Sequence, residues 1–273
     1  MIAICAALLI GYASNPYVAI LVVGVMAFLA AVGVWEYGRL AVSKGLTPSI
    51  PLMMGVAVAE VFAFYIAHRW IHSAELPVFI LALGLGLFFL YRFRRSEEAL
   101  LHVAVEFFSI AYIAVPLSYM LAILYPISPT PDHDGRWWLV YLLLVTKITD
   151  IGAYFVGKLW GKHRLAPVLS PKKTVEGAVA GFLSAVLLSL AMVTIGAKFA
   201  GSSFPLKLWD AFWLGILIGI FGQIGDLAES LLKRDAVVKD SNALPGLGGV
   251  LDMMDSLIFT APIVYFYLQW HRI

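Results

Sequence analysis

The strongest constraint on this chain is that it returns again and again to long apolar runs. Nine such segments can be marked, at roughly 2–14, 16–38, 48–70, 75–91, 100–125, 137–156, 175–198, 207–230 and 250–270. A straight transmembrane helix needs about 20 largely apolar residues, a length that all but the first segment reach or approach. That first segment is short and has no basic region ahead of it, so it reads as a shortened span or an incomplete start rather than a signal peptide. Hydrophobic residues make up 62% of the chain and charged residues 13%, with a mean hydropathy of +0.90, which excludes a soluble globular domain. The expected fold is an all-α polytopic membrane protein, about nine transmembrane helices in one bundle. Residues 1–135 read as scaffold and lipid-access helices and residues 136–273 as the helices that carry chemistry, within a single integral membrane unit.

The distribution of charge orients that bundle. The connections after segments two, four, six and eight hold 13 of the 19 Lys and Arg residues, and the opposite ends hold five. Positive residues concentrate on the cytoplasmic side, so the even-numbered loops are expected there. Trp and Tyr near the segment ends, such as Trp35, Trp160, Trp209 and Trp270, fit an interfacial aromatic belt. The lone Cys5 excludes an internal disulfide and a cysteine metal site. The net charge of +2 says little by itself, and no nucleic-acid partner is expected.

Against this greasy background, residues 225–256 read GDLAESLLKRDAVVKDSNALPGLGGVLDMMDS. If 212–234 is helical, Asp226, Glu229, Ser230 and Lys233 fall on one face, and Asp252 and Asp255 share a face of the next helix. Carboxylates converging from two helices repel one another unless a cation sits between them, and all-oxygen ligands suit Mg²⁺. Lys233, Arg234, Lys239 and the glycines 246, 248 and 249 add cations and close backbone approach, which together point to a phosphate-bearing ligand. The competing structural reading is a cytoplasmic loop with helix-capping carboxylates.

A second informative stretch runs from Thr146 to Gly177. Lys147, Asp150 and Tyr154 share a helix face, and a basic loop with Lys158, Lys162 and Arg164 leads to Ser170, Pro171, Lys172, Lys173 and Thr174. Ser170 or Thr174 could cap the following helix, whose N-terminus attracts anions. The loop is not a Walker A motif, because its glycine spacing is one residue short and His163 stands where Ser or Thr is needed. Gly177 and Gly181 permit a close helix crossing. Elsewhere, Glu36 is expected to pair with Arg39, Glu60 and Glu106 face the bundle without an evident partner, Arg92, Arg94 and Arg95 serve topology and headgroups, and Asp132, His133 and Asp134 are solvated.

These residues resemble the phosphatidate cytidylyltransferases, or CDP-diacylglycerol synthases. Ser230, Lys233, Arg234, Lys239, Asp240, Pro245, Gly246, Gly248, Gly249, Asp252 and Asp255 match the family's C-terminal pattern, while Asp150, Ala153, Tyr154, Gly157, Lys158 and Ser170 to Gly177 match its upstream elements. Leu247 replaces the family's His, Met253 replaces an Arg, and the spacer after Asp240 is one residue short. The resemblance implies Mg²⁺-dependent attack of the phosphate of phosphatidic acid on the α-phosphorus of CTP, releasing pyrophosphate. It places Asp226, Asp252 and Asp255 at a paired metal centre that could include a second cation. Lys239 joins them in catalysis; Lys172, Lys173, Ser170, Thr174, Ser230, Lys233 and Arg234 become substrate contacts, and Asp150 and Tyr154 lie near nucleotide or headgroup. It also suggests a homodimer in a bacterial inner membrane, with the active site cytoplasmic. A CTP-dependent lipid kinase and an ion-coupled transporter using Lys147, Asp150 and Asp226 are the alternatives.

Overall fold

The computed structural model describes residues 11, 15–94, 97–126, 134–237 and 249–271. Eight helices among them are long and apolar enough to cross a membrane. They are α1 (Pro16–Ser43), α2 (Ile50–Ile71), α3 (Glu75–Arg92), α4 (Ala99–Leu124), α5 (Gly135–Trp160), α6 (Val175–Phe199), α7 (Leu208–Asp235) and α8 (Val250–His271). Segments two to nine of the sequence reading each correspond to one of them, and segment one lies outside the described residues. Exposed Phe28, Phe79, Leu83, Leu187 and Phe266 give the outward faces the apolar surface that lipid accepts and water does not. The chain divides into two compact units, Met1–Ser128 with Ala236–Leu251, and Pro129–Asp235 with Asp252–Ile273.

In the first unit, Asn15 caps α1 by accepting from Tyr17 N at 2.9 Å, and Pro16 supplies a helix-ready first residue. Helix α4 widens into a π-type turn at Ile110–Ala114, just before Pro116. Proline has no N–H to donate and its ring crowds the preceding turn, which accounts for the irregularity there.

One cluster of charge in this unit is buried and internally matched. Glu106 Oε1 accepts from Arg92 at 2.6 Å and from both the backbone N and the hydroxyl of Ser49 at 2.8 Å. Arg92 also donates to Thr47 O at 2.7 Å, and Thr47 N donates to His102 Nε2 at 3.1 Å. Arg92 is therefore an interior residue, not the headgroup contact its sequence neighbours suggested. Glu36 is likewise interior: its two oxygens accept from Val250 N at 2.9 Å and Leu251 N at 2.8 Å, satisfying the open N-terminus of α8, while Arg39 lies over the Trp35 ring. Glu60 faces the core, buried, with Oε2 lacking a hydrogen bond.

The second unit contains α5 to α8 and a short hairpin, β1 (Arg164–Ala166) and β2 (Ser170–Thr174), paired antiparallel. Asp134, expected to be solvated, instead caps α5: it accepts from Arg136 N at 3.0 Å and forms an ion pair with the same side chain at 2.6 Å. At the far end from the hairpin, buried Trp138 packs on Phe204 and Tyr267.

Backbone contact sets the geometry of the rest. A Cβ at Gly177 would stand 2.6 Å from Ala153 O, and one at Gly181 would stand 2.6 Å from Thr149 O. Only glycine permits this approach, and the small-residue spacing seen in the sequence produces the expected α5–α6 crossing. The crossing places the second half of α5 beside the hairpin and the start of α6. Gly225 on α7 lies against Asp255 O in the same manner, and Thr146 bonds to Thr260 at 3.0 Å, so α5, α7 and α8 converge at one level.

Candidate active site

Where α5, the hairpin, α6 and α7 meet, they enclose a cleft of about 610 Å³ within the second unit. Helix α5 contributes Asp150, Tyr154 and Lys158, spaced at one helical turn. The hairpin and the turn before it contribute Lys162, Arg164, Lys172 and Lys173; α6 opens onto the cleft with Thr174 and Gly177; and α7 adds Gln223 and Asp226. Five cations and two carboxylates thus share one space. The first motif stretch folds back on itself at the glycine crossing, and the second joins it through the Lys173–Asp226 ion pair.

Each wall is held by identifiable bonds. Thr174 caps α6, its hydroxyl accepting from Gly177 N at 3.2 Å, so the positive end of a 25-residue helix faces the cleft. Glu176 accepts from Lys162 N at 3.1 Å, from His163 N at 3.2 Å and from His163 Nδ1 at 2.6 Å, which fixes the turn between α5 and the hairpin. Arg234 Nε donates to Leu169 O at 3.1 Å and ties the tip of the hairpin to α7. Arg164 reaches Pro171 O within the hairpin itself.

Lys173 Nζ forms an ion pair with Asp226 at 2.7 Å. An ammonium has three donors, so this group retains capacity for ligand oxygens. Lys147 pairs with Asp150 at 3.2 Å and donates to Met253 O at 3.3 Å. Ser256 Oγ reaches Asp150 Oδ1 at 3.4 Å and Asp255 Oδ1 at 3.2 Å. The charge of Asp226 acts on both Asp150 and Asp255, so three carboxylates from three helices lie within electrostatic reach.

The remaining expected site residues fall elsewhere. Lys233 forms ion pairs with Glu229 at 2.6 Å and with Asp252, a half-sequestered network beside the cleft and not in its lining. Ser170 begins β2 and Ser230 sits half-buried on α7, neither lining the cleft. Gly249 immediately precedes α8, while Lys239, Asp240, Pro245, Gly246, Leu247 and Gly248 lie outside the described residues. Sequence reasoning grouped Asp252 with Asp226 and Asp255; the fold instead joins Asp252 to Lys233 and brings Asp150 to the other two. It also passed over Gln223, whose neighbours are apolar and which belongs to no motif.

Among the described residues no three acidic or histidine side chains are grouped tightly enough to hold one ion as they stand. The donor chemistry nevertheless fits Mg²⁺: Asp150, Asp226 and Asp255 offer hard anionic oxygens, and lysines now supply the positive charge beside the first two.

A model of the cytidylyltransferase family matches residues 1–271. Among similar proteins, the phosphatidate cytidylyltransferase of Chlamydia pneumoniae is 38% identical over 257 residues, covering 89% of this chain and 81% of its own. That of Staphylococcus haemolyticus is 34% identical over 199 residues, 72% and 71% of the two chains. That of Chlamydia muridarum is 44% identical over 159 residues, 58% of this chain and about half (52%) of the relative. With a charged cleft built from its motif residues and a family match that runs nearly end to end, the chain belongs to the cytidylyltransferase family.

Proposed function

We propose that this protein is a phosphatidate cytidylyltransferase that converts CTP and phosphatidic acid to CDP-diacylglycerol and pyrophosphate. The observation that carries the reading is the cleft itself, in which five cations and two carboxylates surround room for a triphosphate in a membrane-embedded member of this family. A phosphate oxygen of the lipid forms the new bond to the α-phosphorus of CTP, the bond from that phosphorus to the bridging oxygen breaks, and pyrophosphate leaves with the electron pair. The attacking oxygen is already anionic, so no side chain has to act as nucleophile.

The protein's part is positioning and charge. Lys173, held by Asp226, directs its spare donors at the phosphate being transferred. Lys158, Lys162, Arg164 and Lys172 neutralise the pyrophosphate as charge builds on it, and the N-terminus of α6 adds its backbone donors. Bound Mg²⁺ would neutralise phosphate oxygens, with Asp150, Asp226 and Asp255 to hold it and Lys239 as a further cation; Asp252, paired with Lys233, stands beside them. The acyl chains stay in the bilayer and reach the cleft laterally. The hairpin carries the densest cationic cluster, which supports a cytoplasmic orientation, and the bacterial relatives support the inner membrane. A homodimer is supported by the resemblance alone.

The test is pyrophosphate release by detergent-purified protein given dioleoyl phosphatidate, Mg²⁺ and CTP, with ATP and lipid-free controls. Release requiring both CTP and lipid is expected. Release of CDP in place of pyrophosphate would overturn the reading in favour of a lipid kinase.

A further inference from the structure

Gln223 lines the cleft one helical turn from Asp226, and its side chain is unusually committed. Its amide nitrogen donates to Ala178 O on α6 at 3.0 Å and to Gly219 O on α7 at 2.9 Å. An amide NH₂ has two hydrogens, and both are used on backbone carbonyls. Turning the amide over would set its oxygen against those same two carbonyl oxygens. The neighbours therefore decide the orientation, and Oε1 is the amide's uncommitted atom.

We infer that Oε1 of Gln223 reads the nucleobase, accepting a hydrogen bond from the exocyclic 4-amino group of cytosine; this rests on the cytidylyl-transfer reading above. Uracil presents an oxygen at that position, where cytosine presents a donor. A freely rotating glutamine would accommodate either base by flipping its amide. Here the flip breaks two hydrogen bonds, so the side chain offers an acceptor and nothing else. A site built to pair a substrate N–H rejects analogues that lack it far more strongly than a site that only measures shape.

The order of groups along the cleft agrees with this assignment. Asp226 is joined to Lys173 in β2, whereas Gln223 is joined to Ala178, beyond the hairpin and into α6. Three residues of α-helix separate the two side chains by about 4.5 Å of rise, with Gln223 on the side away from the hairpin. Along α7 and into the hairpin, the lining passes from the amide of Gln223, to Asp226 with its lysine, to the hairpin cations, while Asp150 faces the same cleft from α5. A nucleoside triphosphate has the same sequence of parts: base, sugar with α-phosphate, then the terminal phosphates.

The experiment compares kcat/KM for CTP, UTP and the triphosphate of the pyrimidin-2-one riboside, which lacks the 4-amino group, in wild type and Gln223→Met. Wild type is expected to favour CTP over both analogues by about 100-fold or more. Gln223→Met, similar in length and without an acceptor, is expected to lose that preference to within about threefold, with KM for phosphatidate unchanged. Wild type that uses the amine-free nucleotide as well as CTP overturns the inference without recourse to any variant. So does a Gln223→Met protein, monodisperse on size exclusion, in which all three nucleotides fall by one common factor. A wild type inert with CTP overturns the transfer reading and this inference together, whereas the two preceding outcomes overturn only the role of Gln223.

Discussion

Glu106 and Asp226 are both carboxylates on membrane-length helices, one in each unit, and their surroundings differ in kind. The side chain of Glu106 is fully buried, and three donors from Arg92 and Ser49 converge on one of its oxygens. Asp226 has a side-chain exposure of 37% and forms an ion pair with a lysine that keeps spare donors. The first arrangement consumes its polar groups in holding helices together. The second leaves them facing a cleft. Charge in a membrane protein is therefore not by itself a sign of function; what distinguishes the two cases is how much bonding capacity the fold leaves over.

If that contrast is sound, the largest single effect on folding belongs to the first unit. Glu106→Ala strands a buried guanidinium and is expected to cost about 3–5 kcal/mol of stability. Thermal unfolding in detergent reads the loss, and a paired Arg92→Met, Glu106→Leu change should recover most of it. An unchanged melting temperature in Glu106→Ala would erase the distinction. Asp226→Asn should do the reverse, lowering turnover by about 100- to 1000-fold, as for loss of one preorganised electrostatic group, while the melting temperature holds. Near-normal pyrophosphate release in that variant would remove Asp226 from the chemistry. Thr174→Ala sits between the two classes, since the cap is structural and the helix end it caps faces the ligand. Its expected cost is about 1 kcal/mol in stability, measured in the same melt, together with a modest rise in KM for CTP. The smallest effect should come from Lys158→Ala at the exposed mouth: a KM for CTP raised only a few-fold at low ionic strength, the difference shrinking as salt screens it.

Much of this was legible in the chain because it is written locally. Apolar run length marked eight of the helices, the spacing of Gly177 and Gly181 allowed the close crossing, and the shared face of Asp150 and Tyr154 marked part of one wall of the cleft. What sequence reading missed depends on partners distant in the chain. Glu36 looked like half of a local pair with Arg39, but the backbone donors it accepts are at 250 and 251. Arg92 looked like a surface cation because Glu106 lies on the next helix and Ser49 just ahead of α2. The hairpin was read as a loop, since strands of three and five residues rich in lysine carry no alternation strong enough to announce themselves. Gln223 has no motif at all; its meaning comes from two carbonyls, one of them on another helix.

The hairpin also bears on timing. A ribbon of two short strands has little stability of its own in water and borrows it from what it touches. Here those loans come from Glu176 at its base and Arg234 at its tip, both exposed to solvent. Its amides should therefore exchange with deuterium well ahead of those in α5 and α6, which are locked backbone to backbone. Fraying of so small a piece, which holds Arg164, Lys172 and Lys173, would loosen three of the cleft's five cations while the helices stay where they are.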